Sequence, residues 1–345
     1  MKVLITGATG FIGSHLCLHL LALGHEITAV TRSADSVSAG FIPASQTILV
    51  PDITAINPSH LAGIEVVIHL AGVAHDYGID QSEFERVNVE GTRHLAQCCI
   101  EASVGKLVFL SSVKAIAENS ESPLGIDVHP APRDDYGKSK LAAENLLQEL
   151  STAQSSTAQS SNTGLPGIEL SRMETLIVRI PLVYGEGVKG NFQSLVKLVR
   201  SGFPLVFGAI QNKRSYLGIQ NLCDFLANCV QQDVSRQNLP TGIVHIADEA
   251  SVSLATLVES IALAMGKSRK IYWIPKFLIV LVASILYGRD RAVSLFGDLE
   301  LHTVETFQKT AWRPPYDLQR GLDAMLQPPG QGEESWYGKL SRKPD

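Results

Sequence analysis

The stretch Gly7-Ala8-Thr9-Gly10-Phe11-Ile12-Gly13, entered from the apolar run Val3-Leu4-Ile5-Thr6, decides how this chain folds. An apolar strand, a tight glycine turn and a helix from Phe11 to about Leu23, stopped by Gly24, form a seat for a pyrophosphate. Glycines let the backbone approach phosphate oxygens, and the helix start offers unpaired N–H groups and a partial positive charge. The spacing is G-x-x-G-x-x-G, not the G-x-G-x-x-G of the commoner dinucleotide fingerprint. The competing reading is a glycine-rich turn without a ligand. The position between a strand and a helix counts against it.

Beyond this turn the first half of the chain alternates. Strand-like runs fall near 2–6, 26–31, 47–50, 65–70, 106–111 and 174–180, with helical stretches near 11–23, 83–102 and 136–150. That alternation predicts a parallel sheet covered by helices on both faces. Ligands of such sheets sit beyond the carboxyl ends of the strands. After about residue 181 the rhythm breaks into loops rich in Gly, Asn and Arg, with helices expected near 192–201, 220–231 and 253–265. The division expected is 1–184 for a dinucleotide-binding domain, to which later segments are free to return, 185–326 for a smaller substrate domain, and 327–345 for a loosely ordered tail. TAQSS occurs at 152–156 and again at 157–161, and reads as a solvated insertion or a helix extension.

The 345 residues, 45% hydrophobic and 18% charged, suffice for a large core. Net charge is −5 with no basic block, which argues against a nucleic-acid partner. The cysteines Cys17, Cys98, Cys99, Cys223 and Cys229 lack C-x-x-C spacing and are odd in number, so reduced thiols and no metal site are expected. A strand beginning at Lys2 leaves no room for a cleavable signal, and a cytoplasmic protein is expected. Phe277 to Tyr287 (FLIVLVASILY) is almost wholly apolar yet only about half the ~20 residues of a membrane span. A buried or half-exposed helix is the preferred reading, ahead of a membrane-surface anchor.

Tyr136-Gly-Lys-Ser-Lys140 carries the chemistry. Tyr136 and Lys140 share one helix face. A nearby ammonium favours the phenolate, so the tyrosine, ordinarily near ~10, is expected to fall toward neutral and act as acid or base. Ser112, just past a strand, reaches the same substrate oxygen. A hydroxyl, a phenol and an ammonium at one oxygen suit alcohol–ketone interconversion with hydride exchanged with a nicotinamide.

Gly7–Gly13, His69-Leu70-Ala71-Gly72, Ser111-Ser112, Tyr136-x-x-x-Lys140 and Arg179-Ile-Pro-Leu-Val-Tyr-Gly185 together resemble the extended short-chain dehydrogenase/reductases, the NAD(P)-dependent nucleotide-sugar epimerases, dehydratases and reductases. The resemblance runs over about residues 1–325. It implies an α/β fold, a Rossmann doubly wound parallel sheet with a smaller C-terminal α/β substrate domain, and a homodimer through the helices near 83–102 and 136–150. It implies Tyr136 as acid/base, Lys140 as the group that lowers its pKa and binds the nicotinamide ribose, and Ser112, rather than Ser111, on the reacting oxygen. Gly7, Gly10, Phe11, Ile12 and Gly13 would hold the pyrophosphate, and Asp52 and Ile53 would lie beside the adenine. Leu70, Ala71 and Gly72 would follow the ribose and phosphates, with Pro181, Leu182 and Val183 near the carboxamide. Asn88 resembles a buried asparagine that braces the sheet.

Departures from the pattern narrow the reading. Arg32 stands where NAD-specific members carry an acid. It pairs with a 2′-phosphate, stacks on adenine or faces solvent, and favours NADP(H) over NAD(H). The sugar 4,6-dehydratases place Asp-Glu after the catalytic Ser/Thr. Here Val113 and Lys114 follow, and a valine cannot protonate a leaving hydroxyl. Asn191, Phe207 and Arg214 resemble residues that bind the nucleotide diphosphate and uracil, with Arg291, near Arg289, as a second clamp. UDP is preferred, and VKGNF with GAIQNKRS resembles the subgroup acting on UDP-N-acetylhexosamines for bacterial surface polysaccharides. The implied function is redox at the sugar 4-position, as a 4-epimerase or a 4-ketoreductase. The alternative is a non-catalytic cofactor-binding or scaffold member.

Overall fold

The computed structural model describes residues 1–34, 44–74, 80–160, 173–231, 242–267, 271–287 and 296–327. The first of its strands and helices are β1 (Lys2–Thr6), α1 (Phe11–Ala22), β2 (Glu26–Thr31), β3 (Gln46–Leu49), β4 (Val66–His69) and α2 (Gln81–Phe84). A π-helical turn, Glu85–Glu90, joins α2 to α3 (Gly91–Glu101), and β5 (Lys106–Ser112) and α4 (Asp135–Ser160) follow. Then come β6 (Glu174–Ile180), β7 (Leu182–Tyr184), α5 (Gly190–Ser201), β8 (Tyr216–Gly218), α6 (Ile219–Gln231) and β9 (Gly242–His245). The last are α7 (Leu254–Ala264), α8 (Lys276–Tyr287), α9 (Val304–Thr310) and α10 (Leu318–Leu326).

A seven-stranded sheet in the order β3-β2-β1-β4-β5-β6-β9 forms the larger lobe, and each neighbouring pair is parallel. Parallel strands covered on both faces need continuous apolar runs. In β1, Val3 and Ile5 point into a cluster with Leu16, Cys17 and Leu20 of α1 and Leu222, Phe225 and Leu226 of α6. Leu4 between them points the other way, toward Leu95 and Cys99 of α3 and Ala143, Leu146 and Leu147 of α4. That is the two-residue period of a strand dividing one run between two cores. α1 ends where expected: Gly24 takes φ +80° and the His25 amide returns to the Leu20 carbonyl at 3.0 Å.

Strand order reverses direction at β1, which has β2 on one side and β4 on the other, so the crevice of a doubly wound sheet opens beyond Thr6 and His69. Two segments from beyond residue 184 return to this lobe. β9 extends the sheet, and α6 packs on α1. The four-residue Gly242–His245 run was too short to stand out as a strand. The helix foreseen near 83–102 starts at Gln81 and contains the π turn, and the one foreseen at 136–150 continues through the TAQSS repeats to Ser160.

The second lobe gathers around Tyr184, Phe192, Val196, Val199, Leu205, Leu257, Val258 and Ile261, beside a two-stranded parallel sheet of β7 and β8. Asp248 ties it: its carboxylate accepts from the Tyr184 hydroxyl (2.8 Å), the Gly218 amide (3.0 Å) and Asn221 (2.7 Å). Phe11, the first residue of α1, packs against the cores of both lobes.

The apolar segment forms a half-exposed helix, within the preferred reading. Ile279 of α8 is buried, but Phe277, Leu278, Leu281, Val282 and Ile285 are exposed. No helix among the described residues is long and apolar enough to cross a membrane.

Candidate active site

Gly7 takes φ +72°, and the Gly10 amide closes the turn on its carbonyl at 2.9 Å. A Cβ on Gly13 would stand 2.2 Å from the Gly7 oxygen, and one on Gly7 would stand 2.8 Å from the Ala71 nitrogen. These glycines bring α1, β1 and the loop after β4 into backbone contact at the point of strand reversal. No side chain caps α1 at Gly10, and Phe11 and Ile12 at its start are only partly buried. A helix start with no carboxylate or hydroxyl of its own across it fits a pyrophosphate.

At the far end of this crevice Arg32 is exposed just after β2. Asp52 accepts from the Thr54 amide and hydroxyl, both at 3.0 Å, and pairs with Arg86, which Glu83 holds from its other side at 2.8 Å. Burial pushes the Asp52 carboxyl up, but the Thr54 amide and Arg86 outweigh it and leave it below its ordinary value. The Arg86 hydrogen bond holds Glu83 low, and the Arg32 charge adds to the same direction. Arg32 therefore lies within electrostatic reach of Glu83. Ile53 is buried, and a Cβ on Gly91 would stand 2.4 Å from its Cγ2.

The loop Leu70-Ala71-Gly72 is held by a buried relay. The Ala71 amide donates to Thr6 Oγ1 (3.2 Å), which lies 2.7 Å from His69 Nδ1. His69 Nε2 lies 3.0 Å from Thr92 Oγ1, and the Thr92 hydroxyl donates to the Asn88 carbonyl at 2.6 Å. Because Thr92 spends its proton on Asn88, His69 must carry its proton on Nε2 and accept from Thr6 at Nδ1. Burial, then the Lys140 charge, push the imidazole down to about 3, so it is neutral. Asn88 sits in the π turn, a distortion common at functional sites. Its Oδ1 accepts from the Val73 amide (2.8 Å), and its Nδ2 donates to the Val73 carbonyl (3.0 Å) and to Ser139 (2.9 Å). Ser139 in turn donates to the Tyr136 carbonyl at 2.8 Å.

Ser112 and Tyr136 are hydrogen-bonded. Lys140, one turn along α4, donates to the Leu110 carbonyl at 2.9 Å and lies 4.6 Å above the Phe109 ring. A Cβ on Gly72 would stand 3.4 Å from its Nζ, so the loop after β4 lies against the ammonium. The Tyr136 pKa does not fall as the spacing suggested. Burial pushes it up to about 12, Ser112 pulls it down and Asp134 adds to the rise. Desolvation of a phenolate is a property of the packed site, which helix spacing does not reveal. Burial also pushes Lys140 down to about 8, against the pull of Glu144.

Spacing did not reveal three residues around these. Asp134 accepts from the Gly137 amide at the start of α4 (2.7 Å) and pairs with Lys114 at 2.5 Å. Gly137 is needed because a Cβ there would stand 2.3 Å from the Lys114 carbonyl oxygen. Glu144 receives Arg179 at 2.6 Å and also the Ser111 hydroxyl, so the two adjacent serines serve different partners. The only signals were an acid before the Tyr-x-x-x-Lys pattern and one a turn after it.

Pro181 and Val183 are buried where β6 passes into the second lobe. Asn191 is exposed in the first turn of α5, and Phe207 packs against the second-lobe core. The Arg214 backbone pairs with Val252 (3.1 and 2.9 Å), its guanidinium donates to the Gly297 carbonyl (3.1 Å), and burial lowers its pKa. The structure thus brings Ser112, Tyr136, Lys140 and Gly72 together and places Asn191, Phe207 and Arg214 on the other lobe. Arg291, Arg289 and the tail beyond Gln327 lie outside the described residues.

Residues 3–247 match the NAD dependent epimerase/dehydratase family. A UDP-glucose 4-epimerase of Vibrio cholerae is 32% identical over 336 residues, covering 94% of each chain. An N-acetyl-alpha-D-glucosaminyl-diphospho-ditrans,octacis-undecaprenol 4-epimerase of Escherichia coli O157:H7 is 27% identical over 341 residues, again covering 94% of each. Among solved structures, UDP-glucuronic acid 4-epimerase of Bacillus cereus, in complex with NAD, superposes with a TM-score of 0.72 at 21% identity, over 94% of this chain and 97% of that one.

Proposed function

The chain belongs to the NAD-dependent epimerase/dehydratase family, and from that premise we propose that it is an enzyme that inverts C4 of a UDP-sugar with NAD(H). The observation that carries this reading is the Ser112–Tyr136 hydrogen bond with Lys140 one helical turn away against Gly72. In this reading Gly7, Gly10, Phe11, Ile12 and Gly13 hold the pyrophosphate, and Asp52 and Ile53 flank the adenine. Leu70, Ala71 and Gly72 line the ribose and phosphates, Lys140 binds the nicotinamide ribose, and Pro181 and Val183 back the carboxamide. The bound dinucleotide supplies the acceptor, and then the donor, of the C4 hydride.

Tyr136 takes the proton of the 4-hydroxyl, and Ser112 holds that oxygen in line with the phenol. When the 4-keto sugar presents its other face, Tyr136 returns the proton to the same oxygen. Lys140 keeps positive charge beside the phenol while that proton is away. Asp134 fixes the start of α4, and Asn88 with Ser139 fixes the Tyr136 backbone, so the phenol meets Ser112 without searching. Asn191, Phe207 and Arg214, with Arg291, are the residues we assign to the nucleotide diphosphate.

NAD(H) is placed ahead of the NADP(H) that Arg32 first suggested. Glu83, within electrostatic reach of Arg32, opposes a 2′-phosphate there. Among UDP-sugars, N-acetylhexosamines of surface-polysaccharide precursors come first, on the VKGNF and GAIQNKRS segments. A second substrate class, a sugar diphosphate carried on polyprenol instead of uridine, is favoured by the exposed face of α8 and by the substrate named for the Escherichia coli relative. A homodimer through the faces of α3 and α4, on the cytoplasmic side, completes the reading. The test is incubation of the purified protein with UDP-N-acetylglucosamine or UDP-glucose. A changed C4 configuration with no net cofactor turnover supports it. Net oxidation of reduced cofactor with a 4-keto sugar, and no epimerisation, points to a 4-ketoreductase instead.

A further inference from the structure

α8 and the segment before it carry a contiguous apolar face that the reaction does not use. Trp273 is 71% exposed, Phe277 68% and Ile285 76%, and Leu278, Leu281 and Val282 lie between them on the same outward side. The opposite side is anchored, with Ile279 buried in the second-lobe core and Val280 packed against it. The backbone beneath is fixed as well: the Tyr272 amide donates to the Leu205 carbonyl at 2.7 Å and the Gly208 amide to the Tyr272 carbonyl at 3.1 Å. A face of this size on a firmly seated helix marks an interaction surface.

We propose that this face docks the protein on the interfacial region of an anionic lipid bilayer. Among the described residues the helix is too short to span: twelve residues extend roughly 18 Å, against a hydrocarbon core of about 30 Å, which suits a helix lying in the plane of the surface. Composition suits that depth. Trp273, Tyr272 and Phe277 are the aromatic side chains that settle at headgroup level, and Leu281, Val282 and Ile285 enter the acyl boundary. Charge suits it too. Between Gly266 and Arg291 the sequence has six basic residues (Lys267, Arg269, Lys270, Lys276, Arg289, Arg291) against one acid, Asp290, in a chain of net charge −5. This locally basic stretch of sequence in a chain of acidic net charge complements anionic headgroups and opposes a second copy of itself. Because α8 packs into the same core as Phe207, docking would set the lobe assigned to the sugar diphosphate at the membrane surface.

Bilayer docking does not depend on the reaction, and the test separates the two. The full chain is floated with vesicles of phosphatidylcholine plus phosphatidylglycerol and with phosphatidylcholine alone. The wild type is expected to float with the anionic vesicles, less so in high salt, with Trp273 quenched by brominated acyl chains. Phe277→Glu combined with Leu281→Glu is expected to lower the partition coefficient by roughly tenfold or more. Lys276→Glu is expected to weaken binding to anionic vesicles alone. Unchanged melting temperature and unchanged epimerisation of a soluble UDP-sugar show that the variants are folded. Absence of wild-type flotation overturns the proposal. So does wild-type self-association that the double variant abolishes in the absence of vesicle binding, which would assign the face to a second copy.

Discussion

Glu144 and Arg179 lock together beneath the catalytic strand, with Nη2 to Oε2 at 2.6 Å and Nε to Oε1 at 3.0 Å, and with only 1% and 3% of their side chains exposed. The pair joins α4, which carries Tyr136 and Lys140, to β6, and the Ser111 hydroxyl joins β5 to the same carboxylate. His245 of β9 touches the guanidinium at 3.4 Å. Four elements therefore meet at one buried charge pair.

Removing one partner leaves the other charged and dry. Arg179→Met is expected to cost about 3–5 kcal/mol of stability, read as a lowered urea midpoint at constant slope. An unchanged midpoint would show that water reaches Glu144.

Tyr136→Phe removes the proton-transfer group and leaves its ring in place. Turnover is expected to fall by roughly 10²–10⁴-fold while dinucleotide affinity stays within a small factor, measured by epimer ratio and by cofactor titration.

Gly13→Ala forces a Cβ into space that the Gly7 carbonyl fills. The variant is expected to lose retained dinucleotide on gel filtration and to destabilise the fold by about 1–3 kcal/mol.

Arg32→Ala is expected to leave the NAD(H) dissociation constant nearly unchanged. A large loss confined to NADP(H) would revive the 2′-phosphate contact, and titration of both cofactors decides it.

His69 and His245 are held neutral, His69 down to about 3 by burial and then Lys140, His245 down to about 4 by burial and then Arg179. The unfolded rings titrate near 6.5, so the unfolded chain binds more protons below that value. Their contribution is whole above pH 6.5 and is lost as pH falls toward 4 and then 3. Each ring contributes a slope of about 1.4 kcal/mol per pH unit inside its window. Urea melts at stepped pH are expected to show stability falling on the acid side, with a shallower fall in His69→Asn.

Much of the site was legible because its members lie within a few residues of one another or at strand ends. Gly7–Gly13, Tyr136 and Lys140 stood out as candidates by spacing, and Ser112 by its place at a strand end together with the family resemblance. The groups that hold them did not. Glu144 and Arg179 are 35 residues apart, and Arg179 and His245 are 66 apart, so only the folded sheet makes them neighbours. The direction of the Tyr136 pKa shift was misread for the same reason: spacing reveals an ammonium four residues away but not the burial that pushes the phenol up. β9 escaped notice because its four residues acquire meaning only beside β6.

Phe11 lies in the cores of both lobes while its own backbone begins the helix that would receive the phosphates. A Cβ on Gly185 would stand 3.6 Å from its ring, so the chain leaving β7 passes beside it. A movement of one lobe against the other would therefore act on this ring and on the helix start that carries it. A shorter side chain at this position would loosen both cores and the helix start together.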